Sequence, residues 1–388
     1  MQVTPGNSGM LIPFGPWLRI GGLRLSTFRV CGAAGLTSGI GLAILVARHL
    51  QFSPYLFLAS VAGALAGTFV VMIAGFILTG GDGLVRSRCE VSSFIAVWMT
   101  SLCAKSHVLS SLDLSALVLA VFIAFAKLGC FAAGCCHGRP HRHGVTYGTR
   151  HFEAGCWASI VGIRIFPLQL IESFFMFVLT LFLSWILTVD PRSGKALTAY
   201  ILLCGIARIW LDELRGDPGR ISFFGFSEAQ WTFLAGNIGL LYSDHLGFLK
   251  LNRWEWIIAI ATISSFFVLA LVRCIDSRRT LFSPEHLWET VSALQHLERL
   301  ISDIPQTKGI EASSLHMMQT TAGLQIAGSR ADWAGQGKRH YSVSKPGDEL
   351  PRHVAYRIAR LIRASSSGNA SYSMIAGSPG VYHIVFDA

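Results

Sequence analysis

Residues 125–148 read FAKLGCFAAGCCHGRPHRHGVTYG: an apolar helix that runs into a loop carrying three cysteines, three histidines, a lysine and two arginines. Such a mixture is costly against lipid, so the segment must face protein or water. Gly129, Gly134 and Gly138 let the backbone turn or approach a bound group, and Lys127 and Arg139 bracket the turn with positive charge. That combination suits an anionic ligand, above all a phosphate.

The composition around this stretch decides the class. Of 388 residues 52% are hydrophobic and 14% charged, and several uninterrupted apolar stretches approach or exceed the ~20 residues that span a hydrocarbon core. We therefore expect an all-α polytopic membrane protein. The candidate spans are 31–47, 54–79, 91–104 lengthened by its flanks, 112–131, 167–188, 196–211 and 254–272, with 229–242 as a short eighth apolar segment. Prolines 5, 13 and 16 interrupt the first ~30 residues, which do not look like a cleaved signal. In the second span Ala59, Gly63 and Gly67 recur at helical spacing and permit close helix contact.

A formal charge of +10 fits contact with anionic headgroups. Basic residues scattered between spans argue against nucleic acid as a partner. Of the nine cysteines, Cys31, Cys103, Cys204 and Cys274 lie in or beside apolar runs, which is no disulfide framework.

Three parts follow: an amino-terminal segment 1–30, a membrane part 31–275, and a soluble α+β appendage 276–388. In the appendage Leu287, Val291, Leu294, Leu297 and Ile301 share one helical face. A second amphipathic helix runs from Pro351 to Ala364, and Tyr372–Ile375 with Val381–Phe386 read as a hairpin around Ser378-Pro379-Gly380. The Gly/Ser/Gln-rich stretch between ~305 and 340 reads as partly disordered.

Further polar islands lie at span ends. FPLQLIES (166–173) carries Gln169 and Glu172. RIWLDELRGD (208–217) spaces Arg208, Asp212 and Arg215 at i, i+4 and i+7, near one helical face. SEAQW (227–231) opens the short apolar segment.

In order and spacing these islands resemble the prolipoprotein diacylglyceryl transferases, bacterial membrane enzymes that move the diacylglyceryl group of phosphatidylglycerol to a lipobox cysteine thiol. Ala126 to Arg139 aligns without a gap to the family pattern GRxGNFxNGExxGR, Phe166 to Glu172 to HPxQLYE, and Arg208 to Arg215 to RxxxEFxR. Among the departures are Lys127 for arginine, Cys130 and Ala133 for the two asparagines, Cys135 for glutamate, Phe166 for histidine, Ile171 for tyrosine and, at the acidic position of the third island, Asp212 for glutamate. The HGG element is replaced by TGGDGLVRSRCE.

The resemblance implies transfer from phosphatidylglycerol, or another anionic lipid, to a lipoprotein precursor at a bacterial inner membrane. Lys127, Arg139, Gln169 and Arg215 would bind substrate, and His137, Glu172, Arg208 and Asp212 would carry catalysis, with His137 or Glu172 as base. The alternative is a catalytically silent relative that binds anionic lipid or lipoprotein precursors, its tail an interaction module. No cofactor is expected. The loop also lacks separated ligand pairs, so no metal is expected either. A thiolate at Cys135 or Cys136, beside His137 and Lys127, is a second reading of the loop.

The resemblance puts the active face outside the cytoplasm. We expect 229–242 either to fail to span or to merge with its flanks into one tilted passage, and residues 276–388 to lie on the opposite, cytoplasmic face, with Arg273, Arg278 and Arg279 as the anchor.

Overall fold

The computed structural model describes residues 15–20, 22–79, 86–157, 160–217, 222–275, 281, 283–302, 316–330, 338–365 and 371–386. The readings placed on residues 1–14, most of the TGGDG stretch, Arg278, Arg279 and parts of 305–340 lie outside these residues. After a short hairpin, β1 (Trp17–Ile20) and β2 (Leu23–Ser26), come the helices α1 (Thr27–His49), α2 (Pro54–Thr79), α3 (Arg86–Cys103) and α4 (Val108–Ala133). The loop strand β3 (Pro140–Thr146), the one-turn helix α5 (Thr149–Phe152) and β4 (Arg164–Ile165) lead to α6 (Leu168–Val189) and α7 (Lys195–Leu211). Next are the pair β5 (Ser222–Phe223) and β6 (Phe226–Ser227), then α8 (Glu228–His245) and α9 (Arg253–Ile275).

Five of these helices are long and apolar enough to cross a membrane: α1, α2 over Pro54–Leu78, α4, α6 and α9. Their outer faces present large apolar side chains such as Phe76, Leu78, Phe174 and Leu181, which suits lipid. The helix α4 is the hub. Leu114, Leu117, Ala120 and Ala124 are fully buried, and α1, α6 and α7 pack around it.

Small residues set the closest approaches. A Cβ on Gly39 would meet the carbonyl oxygen of Val118 at 3.0 Å, and one on Gly67 would meet Ala96 at 2.7 Å. Gly63 and Gly67 thus face α3, as their spacing suggests.

Contacts show that the helices alternate in direction. Gly129 lies against Phe28, Ser173 Oγ donates to the Ala124 carbonyl at 2.8 Å, and Gln230 reaches the Ile209 carbonyl at 3.1 Å. At the far end Lys195 pairs with Glu255 at 3.0 Å, so α7 and α9 start on the same face. The helix α8 has 18 residues, a rise of roughly 27 Å, because its flanks extend the apolar core 229–242.

Consequently α9 returns to the face that carries the cysteine loop. There Arg273 binds Glu213 and its guanidinium lies 3.7 Å over the Phe226 ring.

The carboxyl-terminal part contains α10 (Pro284–Ser302), β7 (His316–Gln319), β8 (Gln325–Arg330), β9 (Arg339–Ser344), α11 (Arg352–Ser365), β10 (Tyr372–Ala376) and β11 (Tyr382–Phe386). The strands form one antiparallel sheet in the order β10-β11-β9-β8-β7. Apolar residues of α10 and α11, among them Leu294, Leu297, Val354 and Ile358, bury against Ile326, Val343 and Ile384. Both amphipathic helices and the hairpin fall where periodicity puts them. The strands β7 and β8 lie inside the stretch expected to be partly disordered, because a Gly- and Gln-rich strand has too little apolar alternation to stand out.

One expectation is overturned. The carboxyl-terminal part does not lie on the face opposite the cysteine loop but packs against it. Leu287, Trp288, Val291 and Leu361 share a core with Tyr147, Ile160, Ile163 and Ile165, and Arg164 Nη2 donates to the Arg363 carbonyl at 3.2 Å.

Candidate active site

Three sequence islands meet through their backbones. Gly138 N–H donates to the Phe166 carbonyl at 3.2 Å, and Phe166 N–H returns to the Arg139 carbonyl at 3.0 Å. On the other edge Arg139 N–H donates to the Leu214 carbonyl at 3.2 Å and Gly216 N–H to the His137 carbonyl at 3.1 Å. A Cβ on Gly138 would come within 2.7 Å of the Phe166 oxygen, so only glycine lets the strips lie this close.

Beneath this junction Glu172, near the start of α6, is 2% exposed and faces three cations. Its carboxylate meets Lys127 from α4, Arg208 Nη1 at 2.8 Å from α7 and Arg215 Nη1 at 3.7 Å. Arg208 also reaches Asp212 Oδ1 at 3.3 Å, and Arg215 Nε donates to Asp217 at 2.9 Å. Asp212 Oδ2 accepts from Ser227 Oγ at 2.5 Å, the residue that caps α8. Lys127, Arg208 and Arg215 thus balance Glu172, Asp212 and Asp217 in charge, which is what permits their burial.

The helix α7 ends at Leu211, and Asp212–Leu214 form a 3₁₀ turn. Arg215 therefore stands beyond the helix that the i, i+4, i+7 spacing implies, yet it still reaches Glu172.

Above the network, Gly134 (φ 82°) ends α4 in a left-handed turn that folds Cys135 and Cys136 back onto Cys130. The three sulfurs lie within 4.8 Å of one another. Gln169, fully buried, holds this loop by donating to the Cys135 carbonyl at 2.8 Å and to the Tyr147 hydroxyl at 3.2 Å. Cys136 takes φ 54°, a backbone conformation rare outside glycine and asparagine. Hydrogen bonds from Cys130 and Cys135, with the charges of Lys127 and Arg215 nearby, hold its thiol well below the usual range.

His137 is buried beside this cluster. Its Nδ1 donates to the Gly138 carbonyl at 2.9 Å, and Nε2 has no hydrogen-bond partner among the described residues. Burial pulls the imidazole below its usual pKa, so it is neutral and able to accept a proton. His141 and His143 stand apart, on the exposed face of β3.

Arg139 Nε donates to the Arg215 carbonyl at 3.3 Å, and its side chain opens onto a cavity of about 730 Å³ between β3 and α11. His141, Arg142, Arg357, Arg360 and Arg363 line the same cavity.

All eight residues singled out in the sequence thus converge on one region. Asp217, Ser227 and Trp288 belong with them and were not singled out. Ser227 announces itself only as a helix cap, and Trp288, whose N–H donates to the Gly216 carbonyl and whose ring stands edge-on to His137, leaves no local signal.

The sequence model of the prolipoprotein diacylglyceryl transferases matches residues 18–242, which contain every island of this network. The chain belongs to that family. It is 32% identical over 153 residues to the phosphatidylglycerol–prolipoprotein diacylglyceryl transferase of Clostridium tetani, a match covering 38% of this chain and 58% of that protein. It is 32% identical over 165 residues to phosphatidylglycerol–prolipoprotein diacylglyceryl transferase 2 of Clostridium perfringens, covering 42% and 62%. The chain thus matches less than two thirds of either relative's length, and residues beyond 242, including the carboxyl-terminal part, fall outside the family match.

Proposed function

We propose that the chain is a membrane transferase that moves a diacylglyceryl group from phosphatidylglycerol to the cysteine thiol of a lipoprotein precursor, at a bacterial inner membrane. The observation that carries this reading is the buried Lys127–Glu172–Arg208–Arg215 network directly beneath the Gly138–Arg139 junction. It holds Arg139 and Arg215 rigidly at the base of a cationic mouth, the environment a departing glycerol phosphate needs as negative charge develops.

Arg208, paired with Glu172 and Asp212, acts as a positioning residue. Substrate phosphate belongs to the half-buried Arg139 and the arginine-lined cavity beside it, whose walls carry no acidic side chain among the described residues. Glu172, held by three cations, serves as their counter-ion rather than as a base, which leaves His137 Nε2 as the side chain able to take a proton. The reading has eight crossings, with both the amino-terminal hairpin and the carboxyl-terminal part on the active face, and the alternating direction of the helices supports it.

Production of the chain in cells depleted of their own transferase tests the reading. Lipoprotein precursors should gain the mass of a diacylglyceryl group, and an Arg139→Ala chain should not support the gain. Unmodified precursors in the presence of folded, membrane-inserted protein would favour the silent, lipid-binding relative instead.

A further inference from the structure

We propose that Cys130, Cys135 and Cys136 hold a zinc ion whose fourth position is open to the thiol of the incoming substrate. The site was not legible in spacing, because its ligands sit at i, i+5 and i+6 rather than in separated pairs. Folding makes it: the left-handed turn at Gly134 reverses the chain so that Gly134 and Cys135 N–H both bond the Cys130 carbonyl, at 2.9 and 3.2 Å.

The result is three free thiols with all sulfurs within 4.8 Å. Three sulfurs bound at ~2.3 Å to a tetrahedral ion stand roughly 3.8 Å apart, so the cluster needs to close by no more than about 1 Å. A donor set of thiolates alone selects zinc or copper(I) over magnesium, calcium or manganese.

The backbone favours a bound cation over plain packing. Cys136 keeps a positive φ that a cysteine adopts only when its surroundings impose it, and its sulfur lies within 4.8 Å of the other two. Three protein ligands and an accessible face, at the exposed Cys135, describe a catalytic rather than a closed structural zinc site.

The role of the ion rests on the transferase reading; its presence does not. A substrate cysteine entering the fourth position displaces water, and its S–H proton passes to His137, the base assigned above. The bound thiolate then attacks the glycerol carbon of the lipid. A C–S bond forms as the C–O bond breaks, the electron pair stays on the phosphate oxygen, and the released glycerol phosphate takes up one proton. Zinc thereby acidifies the thiol without the histidine and tyrosine that this chain replaces with Phe166 and Ile171.

The test is elemental analysis of the full chain purified in detergent, with cobalt(II) as a spectroscopic substitute. We expect about one zinc per chain, lost in Cys135→Ser and Cys136→Ser variants and retained in Cys103→Ser and Cys274→Ser. Cobalt should show sulfur-to-metal charge-transfer absorption that shifts when a cysteine peptide is added. In the unmutated chain Cys130, Cys135 and Cys136 should resist alkylation until a chelator is supplied, which covers variants that fail to fold.

Purified chain without zinc, with copper in its place, or with these cysteines alkylated equally with and without chelator overturns the site. Zinc present without any diacylglyceryl transfer leaves the site standing and overturns the transferase reading. Undiminished transfer by the metal-stripped chain overturns the ion's catalytic role.

Discussion

The ring of Trp288 stands edge-on to the imidazole of His137, 5.4 Å between centroids and 88° between planes, while its N–H is spent on the Gly216 carbonyl. A residue from outside the family-matched segment therefore forms one wall of the site. Trp288→Phe keeps the ring contact but strands a buried carbonyl at a cost of about 1–3 kcal/mol. Trp288→Ala also opens a cavity, for about 3–5 kcal/mol in all. We expect limited proteolysis between α9 and α10 to accelerate modestly in the first variant and strongly in the second; equal rates in all three proteins would show that the contact does not hold the two parts together.

Arg208 and Glu172 make the central ion pair at 2.8 Å, with both side chains buried. Arg208→Ala leaves Glu172 and Asp212 short of a cation and should cost about 3–5 kcal/mol. Arg208→Lys should recover part of the thermal stability and less of the transfer rate, because an ammonium on a shorter side chain cannot keep both carboxylate contacts that Arg208 Nη1 makes. Full recovery of transfer by lysine would remove the geometric role assigned to Arg208.

Gly138→Ala places a methyl 2.7 Å from the Phe166 oxygen, between two strips whose hydrogen bonds fix Arg139. Diacylglyceryl transfer should fall by more than an order of magnitude, about the 10²-fold expected for a 1 Å displacement of binding groups. Gly148→Ala, with nothing within 4 Å of its added carbon, is the control and should retain activity. Similar activity in both variants would argue against the junction as the frame of the site.

The carboxyl-terminal sheet carries a pH dependence of its own. His340 Nε2 and His383 Nδ1 lie 3.0 Å apart with stacked rings, and burial first, then His383, lowers the pKa of His340. A histidine depressed in the folded state leaves stability intact above its unfolded value of ~6.5 and loses it as pH falls through the folded value, since the unfolded chain binds the proton first. Hydrogen exchange of β9 and β11 in the full chain should therefore quicken as pH drops below ~6.5, beyond the intrinsic change, and His340→Gln should flatten that response. An unaltered response in the variant would locate the sensitivity elsewhere.

The apolar runs announce the helices because a span must be apolar along its length, and the gapless island from Ala126 to Arg139 announces the family. Glu172, Arg208 and Arg215 were legible as well, since charge at the end of a span is rarely idle. The side of the carboxyl-terminal part was not. Its packing against the cysteine loop depends on where α9 ends, and so on the extension of 229–242 into the 18-residue α8 by flanking residues, Glu228 capped by Ser227 at one end and Ser243–His245 at the other, which carry little apolar signal.

What the sequence by itself determined is the set of elements and the inventory of charge: spacing and hydropathy are local properties that survive in one dimension. What only the tertiary structure decided is who meets whom. Glu172 stands against cations 45, 36 and 43 residues away, Trp288 covers His137 from beyond the last membrane helix, and three thiols converge because one glycine adopts a left-handed turn. Each depends on helix packing and chain reversal, whose energies come from contacts distant in sequence, and so no window of residues contains them.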